Sequence, residues 1–416
     1  MESKVEIKSE CSDELPEAMK NNMTIGALHN EYQRKGGEDL VFSNEVNLLR
    51  SLGHSIKELV VTNKTISGIV GKLRVAFNVS DSVSSREKVA QFLARSDVDL
   101  VHIHNLFPIL TPSVYDACVE AEIPVVQTLH NYRTICPGSL LMRDGKVCEK
   151  CVTGSPYQSV LHGCYRDSQI GTLAVARMVN YHRKSNTWNT KVNRFIALTE
   201  FAKAKFVEAG FDPKKIAVKP NFIPDPISPG TDLNKRNRTA LFVGRISQEK
   251  GIRTLTRAWK QMSLELVIAG DGPLLDSLSS TNRSGSIRLL GPQSNAQISD
   301  LMLNARFLVM PSEWYEGFPM VLAEAFAHGL PVLASRLGGM REIIENGATG
   351  LHFEAGNAHD LSEKAQWLLD HSNECRRMGE NARNKYLAKY TPRKNYDMLM
   401  RIYEEAANDQ QQNALP

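Results

Sequence analysis

The sequence predicts an α/β chain made of two doubly wound parallel sheets that face each other across a cleft. Three observations carry this. Short apolar runs alternate with helix-period segments, and the alternation occurs in two successive series. A stretch holding four prolines and one glycine, residues 220–230, separates the series and admits no regular element. The length, 416 residues, suits two or three domains with separate cores.

The first series occupies residues 23–222. Apolar strands are expected over 23–29, 58–62, 100–104, 125–129, 194–199 and 216–219, and helices over 39–52, 86–95, 112–122 and 200–209. The first helix carries Val41, Phe42, Val46, Leu48 and Leu49 at helical spacing. Residues 223–238 form the linker. The second series, 239–392, has strands at 239–243, 265–269, 287–290, 307–310 and 332–335, each followed by a turn and a helical pattern. Alternation of this kind builds Rossmann-like units covered on both faces. Residues 360–405 are helical and charged, with a break at Pro392. Residues 393–416 form a last helix and tail expected to pack back on the N-terminal unit.

Composition narrows the function. With 42% hydrophobic and 23% charged residues the chain is an ordinary globular one. A net charge of +4 is too small to argue for a nucleic-acid partner. No apolar run reaches the roughly eighteen residues that a membrane span needs. Residues 1–22 are polar and acidic without an apolar core, which reads as a disordered tail and not a secretory signal. A cytoplasmic location follows. Arg177, Arg183, Lys184, Lys191, Arg194, Lys203 and Lys205 are either a solvated face or a peripheral contact with the inner membrane face.

Ligands of open parallel sheets bind beyond the carboxyl ends of the strands, so the residues after each strand are the candidates. After the fourth strand of the second unit come Glu316, Gly317, Phe318, Pro319 and Met320, then Glu324. Pro319 suits the first position of a helix over 319–328 and Gly329 its C-terminal cap. The start of that helix offers free N–H groups and a positive dipole to a diphosphate. The two carboxylates can accept hydrogen bonds from sugar and ribose hydroxyls. Glu324, between Leu322, Ala323, Ala325 and Phe326, is poorly placed for a surface role. After the first strand of the same unit, Gly244, Arg245, Lys250 and Gly251 make either a diphosphate clamp or two ordinary surface cations beside glycines. Gly270 and Gly272 form a tight turn, and Gly338 and Gly339 with Glu342 follow another strand. In the N-terminal unit the Lys35, Gly36, Gly37 and Glu38 loop and His130 lie at strand ends that look into the cleft. Asp97 and Asp99 form a DxD triplet at the start of a strand, the wrong end of the sheet for a metal site.

Taken in order and spacing, these motifs resemble the retaining glycosyltransferases of family 4, the group 1 enzymes of GT-B fold. The specific element is Glu316, Gly317, Phe318, Pro319 and the later Glu324, the family's E-x7-E pattern. The resemblance implies that Arg245 and Lys250 neutralise the departing diphosphate and that Glu324 binds the ribose. It implies that Glu316 and the backbone of Gly317 to Met320 contact the donor sugar. It places His130 near the reacting carbon and Gly36 and Gly37 beneath the donor phosphates, with Gly244, Gly270 and Gly272 on the donor side. It further implies a UDP- or GDP-sugar donor, a glycan or lipid-linked acceptor, retention of configuration, metal-independent catalysis, and work in surface or extracellular polysaccharide assembly. The alternatives are an inactive nucleotide-sugar-binding regulator or scaffold, and an epimerase or hydrolase of the same fold.

One region departs from the family pattern. Cys136, Cys148, Cys151 and Cys164 fall in an insert over 132–166, directly after His130. The CxxC pair with two flanking cysteines either binds a structural zinc through four thiolates or remains four reduced thiols.

Overall fold

A computed structural model describes residues 22–32, 36–66, 68–228, 236–260, 262–281 and 285–414. The expected tail up to residue 21, Lys35 of the glycine loop and linker residues 229–235 lie outside them. The first sheet holds β1 (Thr24–Glu31), β2 (Ser55–Thr62), β3 (Leu100–Asn105) and β4 (Val125–Leu129). A two-stranded hairpin of β5 (Met142–Arg143) and β6 (Lys146–Val147) interrupts before β7 (Arg194–Ala197) and β8 (Ile216–Val218) complete it. The second sheet holds β9 (Thr239–Val243), β10 (Glu265–Ala269), β11 (Ile287–Gly291), β12 (Phe307–Met310), β13 (Val332–Ser335) and β14 (Gly350–Phe353).

The strand orders are β2-β1-β3-β4-β7-β8 and β11-β10-β9-β12-β13-β14, and the pairings recorded within each sheet are parallel. In each sheet the order reverses once, beside β1 and β3 in the first and beside β9 and β12 in the second. A crevice opens at such a reversal because the flanking connections leave in opposite directions. The loops that follow these four strands therefore hold the candidate residues.

β14, the helix Gly68–Asn78 and the long helix Gln169–Lys184 were not expected from the sequence. The helix read over 319–328 spans Met320–Ala327, with Pro319 as its N-cap and not its first residue. Pro319 has φ −69° and ψ 113°, so its extended ψ leaves it outside the helix. Gly329 follows in the left-handed region at φ +60°, where a side chain is costly.

The helix Ser372–Lys389 ends before Pro392, and a new helix runs Pro392–Ala414. Tyr396, Leu399, Met400, Tyr403 and Ala406 recur at helical spacing and bury against Ile25, Ala27, Val126 and Ile196 of the first sheet. The terminal helix thus covers the N-terminal unit although it follows the C-terminal one. Where the chain returns, Ile223 donates its N–H to Tyr390 O at 3.2 Å, and Asn395 Nδ2 donates to Pro220 O at 2.9 Å. The outgoing and returning segments are bonded side by side.

Candidate active site

On the C-terminal side, two glycine turns meet under the crevice. A Cβ on Gly270 would lie 1.9 Å from Gly244 O, so that turn admits no side chain. A Cβ on Gly272 would lie 2.3 Å from Ile246 O. Lys250 stands in the turn before the helix Ile252–Trp259, and its Nζ donates to Glu316 Oε1 at 2.7 Å. Glu316 is buried, and the same oxygen accepts from Ser312 Oγ at 2.7 Å and Trp314 Nε1 at 3.0 Å. Three donors offset the cost of burying this carboxylate. Arg245 is exposed. Phe318 faces inward against Tyr390, ring centroids 5.5 Å apart, which leaves its backbone for a ligand. Met320, at the start of its helix, is half-buried. Glu324 lies one turn into that helix, and no group among the described residues hydrogen-bonds its carboxylate. Burial pushes its pKa up.

On the N-terminal side, Gly36 caps the helix Gly37–Ser51, and its N–H donates to Asp39 Oδ2 at 2.7 Å. His29 Nε2 holds the other Asp39 oxygen at 2.8 Å. His130 follows β4. Its Nε2 lies 3.1 Å from His104 Nδ1, and the rings stack at 5.2 Å. His130 also lines a cavity of about 50 Å³ with His104, Asn131 and Arg133.

The sides touch at two points. A Cβ on Gly317 would lie 2.7 Å from His130 O, so this loop of the C-terminal unit rests on the histidine turn only because residue 317 is glycine. Glu342 accepts from the N–H groups of Glu200 and Phe201 at 3.1 and 3.0 Å, capping the helix Glu200–Glu208 from across the cleft. Gly338 and Gly339 pack on Tyr315 and Thr199. This segment therefore joins the two units.

A family model described as glycosyl transferases group 1 matches residues 225–385, and one described as glycosyltransferase family 4 matches residues 65–225. The chain belongs to the family 4, group 1 glycosyltransferases. An uncharacterized glycosyltransferase of Methanocaldococcus jannaschii is 34% identical over 171 residues, 40% of this chain and 48% of that protein. The chain thus spans about half the length of such curated relatives. The phosphatidyl-myo-inositol mannosyltransferase of Mycolicibacterium smegmatis is 24% identical over 86% of this chain and 87% of its own. The Anabaena protein HepE, solved in complex with UDP, superposes with a TM-score of 0.64 at 18% identity, covering 92% of this chain and 100% of its own. The two facing sheets of this family 4 chain are the GT-B fold.

Sequence reading found His130 but not what lies beneath it. Glu45, His102 and Lys219 are almost fully buried. Lys219 Nζ donates to Glu45 Oε2 at 2.7 Å, and Glu45 Oε1 lies 3.2 Å from His102 Nδ1 and 3.3 Å from His104 Nε2. Burial alone would raise the Glu45 pKa; Lys219, His104 and His102 hold it well below the ordinary carboxylate range. Burial, with His104, likewise holds His130 well below the usual imidazole value, so its ring is neutral. Glu45, His102 and His104 bring three ligand atoms within 4.8 Å of one another. A cation there would face the Lys219 ammonium, so the trio reads as an ion network. Two signals were available: Glu45 interrupts the apolar stripe of its helix, and His102 and His104 alternate on a strand buried on both faces.

Four members of the basic cluster have partners within the fold. Arg183 donates to the carbonyls of Gly154 and Cys151, Lys191 pairs with Asp116, Arg194 with Glu405 and Asp409, and Lys205 with Glu149 and Glu208. These four charges are engaged within the fold, and Lys184 is exposed.

Proposed function

We propose that this protein is a retaining glycosyltransferase, active without a metal, that moves a sugar from a UDP- or GDP-sugar to a glycan or lipid-linked acceptor in surface or extracellular polysaccharide assembly. The observation that carries the reading is the arrangement at the β9/β12 crevice. A lysine and a buried glutamate meet before the helix Met320–Ala327, and a second glutamate one turn on has no hydrogen-bond partner among the described residues. Breaking a sugar–phosphate bond leaves negative charge on the diphosphate. Lys250, Arg245 and the helix N-terminus receive it, and one such contact is worth roughly 3–4 kcal/mol. Glu316 and the backbone of Gly317 to Met320 hold the sugar, Glu324 the ribose, and His130 the sugar from the opposite wall. Gly36 and Gly37 line the floor. That HepE binds UDP supports a uridine nucleotide as the first ligand to try.

The test is a thermal-shift series with UDP, GDP, ADP and their common sugars, with Glu324→Ala as control. A ligand at 100 times its Kd adds about 2.7 kcal/mol. One nucleotide should stabilise the native protein and the variant clearly less; stabilisation by none at millimolar concentration would remove the reading. Label passing from donor to an acceptor then separates transfer from hydrolysis or epimerisation.

The insert fits a structural zinc in part. The Cys151 thiol is pushed up to about 12 by burial, with the nearby Cys136, Cys164 and Cys148 thiols adding to the effect, which places the four cysteines close together. The thiols are gathered but not drawn into a tetrahedron: among the described residues, the group of three ligand atoms within 4.8 Å is that of Glu45, His102 and His104. Zinc–sulfur bonds of about 2.3 Å would bring the sulfurs to about 3.8 Å from one another. One zinc per chain on the purified protein, lost in Cys151→Ser, is expected; metal-free protein with full activity sinks the idea.

No helix among the described residues is long and apolar enough to cross a membrane. Exposed Leu73, Phe77, Leu161, Ile170 and Leu173, with Arg74 and Arg166 exposed nearby in sequence, support peripheral contact with lipid. Sedimentation with anionic vesicles, lost in Phe77→Glu, tests this; native protein that stays in the supernatant overturns it.

A further inference from the structure

We propose that Glu45, acting through His104, is a positioning residue that fixes His130 as the neutral tautomer protonated on Nε2, so that its Nδ1 lone pair serves a hydroxyl of the donor sugar and not a phosphate oxygen. The choice of ligand group rests on the reading of the cleft given above; the tautomer does not.

The argument begins at the carboxylate. Glu45 comes from the helix Gly37–Ser51 and is kept ionised by Lys219, 2.7 Å away at the end of β8. Glu45 Oε1 lies 3.3 Å from His104 Nε2 without hydrogen-bond alignment, and its negative charge repels a lone pair on that nitrogen, which leaves the His104 proton there. His104 Nδ1 is then a lone pair, and it lies 3.1 Å from His130 Nε2. Two lone pairs do not meet at that distance, so His130 carries its proton on Nε2. Its Nδ1 remains unprotonated and has no partner among the described residues. A bare imidazole nitrogen accepts from a hydroxyl and repels an anionic oxygen.

The groups around the relay keep it in one state. His102, between Tyr403 Oη at 2.8 Å and Thr128 Oγ1 at 2.8 Å, touches the same Glu45 oxygen. Asn395 of the terminal helix lies 3.3 Å from Lys219 Nζ. His29, bound to Asp39, stacks on Phe42, whose ring meets His104 edge-on. A proton added to His104 would meet Lys219 and His29, and one added to His130 would meet His104, His29 and His102. Among the described residues the anion recorded against His104 is Glu45, which is already engaged by the ammonium.

The experiment is a long-range nitrogen–proton correlation spectrum of the full chain, labelled on histidine with ¹⁵N and recorded without substrate. His130→Gln assigns the signal. The expected result is a pyrrole-like Nε2 and a pyridine-like Nδ1, unchanged from about pH 8 to about pH 6. A proton on Nδ1, or an imidazolium in that range, overturns the proposal. His104→Phe keeps an aromatic ring against Phe42 and leaves Glu45 paired with Lys219, but removes the acceptor; His130 should become a mixture of tautomers. Glu45→Gln should do the same if it folds, as judged by its circular dichroism. An unchanged tautomer in His104→Phe also overturns the proposal. Donor turnover by His104→Phe should fall about tenfold in kcat with little change in KM for the acceptor. If the tautomer is as expected but no donor binds, the reading of the cleft fails and the relay stands.

Discussion

The two walls of the cleft are built on opposite principles. The N-terminal wall is paired mostly within itself: His29, Asp39, Glu45, His102, His104, His130 and Lys219 take their partners largely from one another and from the terminal helix, although His29 Nδ1 and Glu45 Oε1 accept or donate no hydrogen bond among the described residues. The C-terminal wall is left open: Arg245 is exposed, Glu324 has no bond among the described residues, and Lys250 is tied to a single carboxylate. Such internal pairing gives a ring one orientation and one tautomer before any ligand arrives. Openness leaves donors and acceptors whose desolvation is compensated only when a ligand supplies the other half. The fold thus keeps the fixed instrument on one side and the adjustable grip on the other.

The comparison can be broken hardest at Lys250. Lys250→Ala should reduce kcat by about 10²- to 10³-fold with little change in Tm, because Glu316 keeps Ser312 and Trp314 as donors; initial transfer rates and a melting curve check both halves. A comparable loss of stability would show this wall to be structural as well. Next comes the contact between the walls. Gly317→Ala puts a methyl 2.7 Å from His130 O and should cost about tenfold to a hundredfold in kcat/KM; an unchanged rate would mean the contact opens during turnover.

Glu324 sharpens the idea of openness. Its folded-state pKa is raised by burial, so its contribution to stability is present below the unfolded value and lost as pH rises through the folded value. Glu324→Gln should therefore raise the Tm of the ligand-free protein at neutral pH while weakening nucleotide binding about tenfold. Native binding should weaken as pH falls, because hydroxyl donors favour the ionised carboxylate. Titration calorimetry across pH and paired melting curves test each sign. The smallest effect belongs to the clamp of the terminal helix. Asp409→Ala removes one partner of the half-buried Arg194, which keeps Glu405, and should cost about 0.5–1 kcal/mol in denaturant unfolding with activity intact.

Much of the C-terminal wall was legible in sequence because its groups are local. Glu316 and Glu324 lie on one loop and the helix it enters, and Lys250 in one turn, so spacing and strand ends place them. Phe318 could be named but not aimed; its inward packing on Tyr390 joins residues far apart in the chain. The N-terminal wall was legible only at His130. Its neighbours come from β1, β3, β8 and two helices, the last of them beginning at Pro392. The helix Gln169–Lys184 was missed because exposed Ile170, Leu173 and Tyr181 blur its apolar stripe. In the basic cluster, sequence showed charge but not that Lys191, Arg194 and Lys205 were already paired.

The sequence by itself determined the two alternating series, the glycine turns and the order of the donor-side motifs, because backbone sterics and apolar period act between near neighbours. Only the tertiary structure decided that Glu45 meets Lys219 and the histidines, that Glu342 caps a helix of the other unit, and that residue 317 must be glycine. Those outcomes depend on distances between segments far apart in the chain, and such distances are set by how the two sheets and the returning helix pack together.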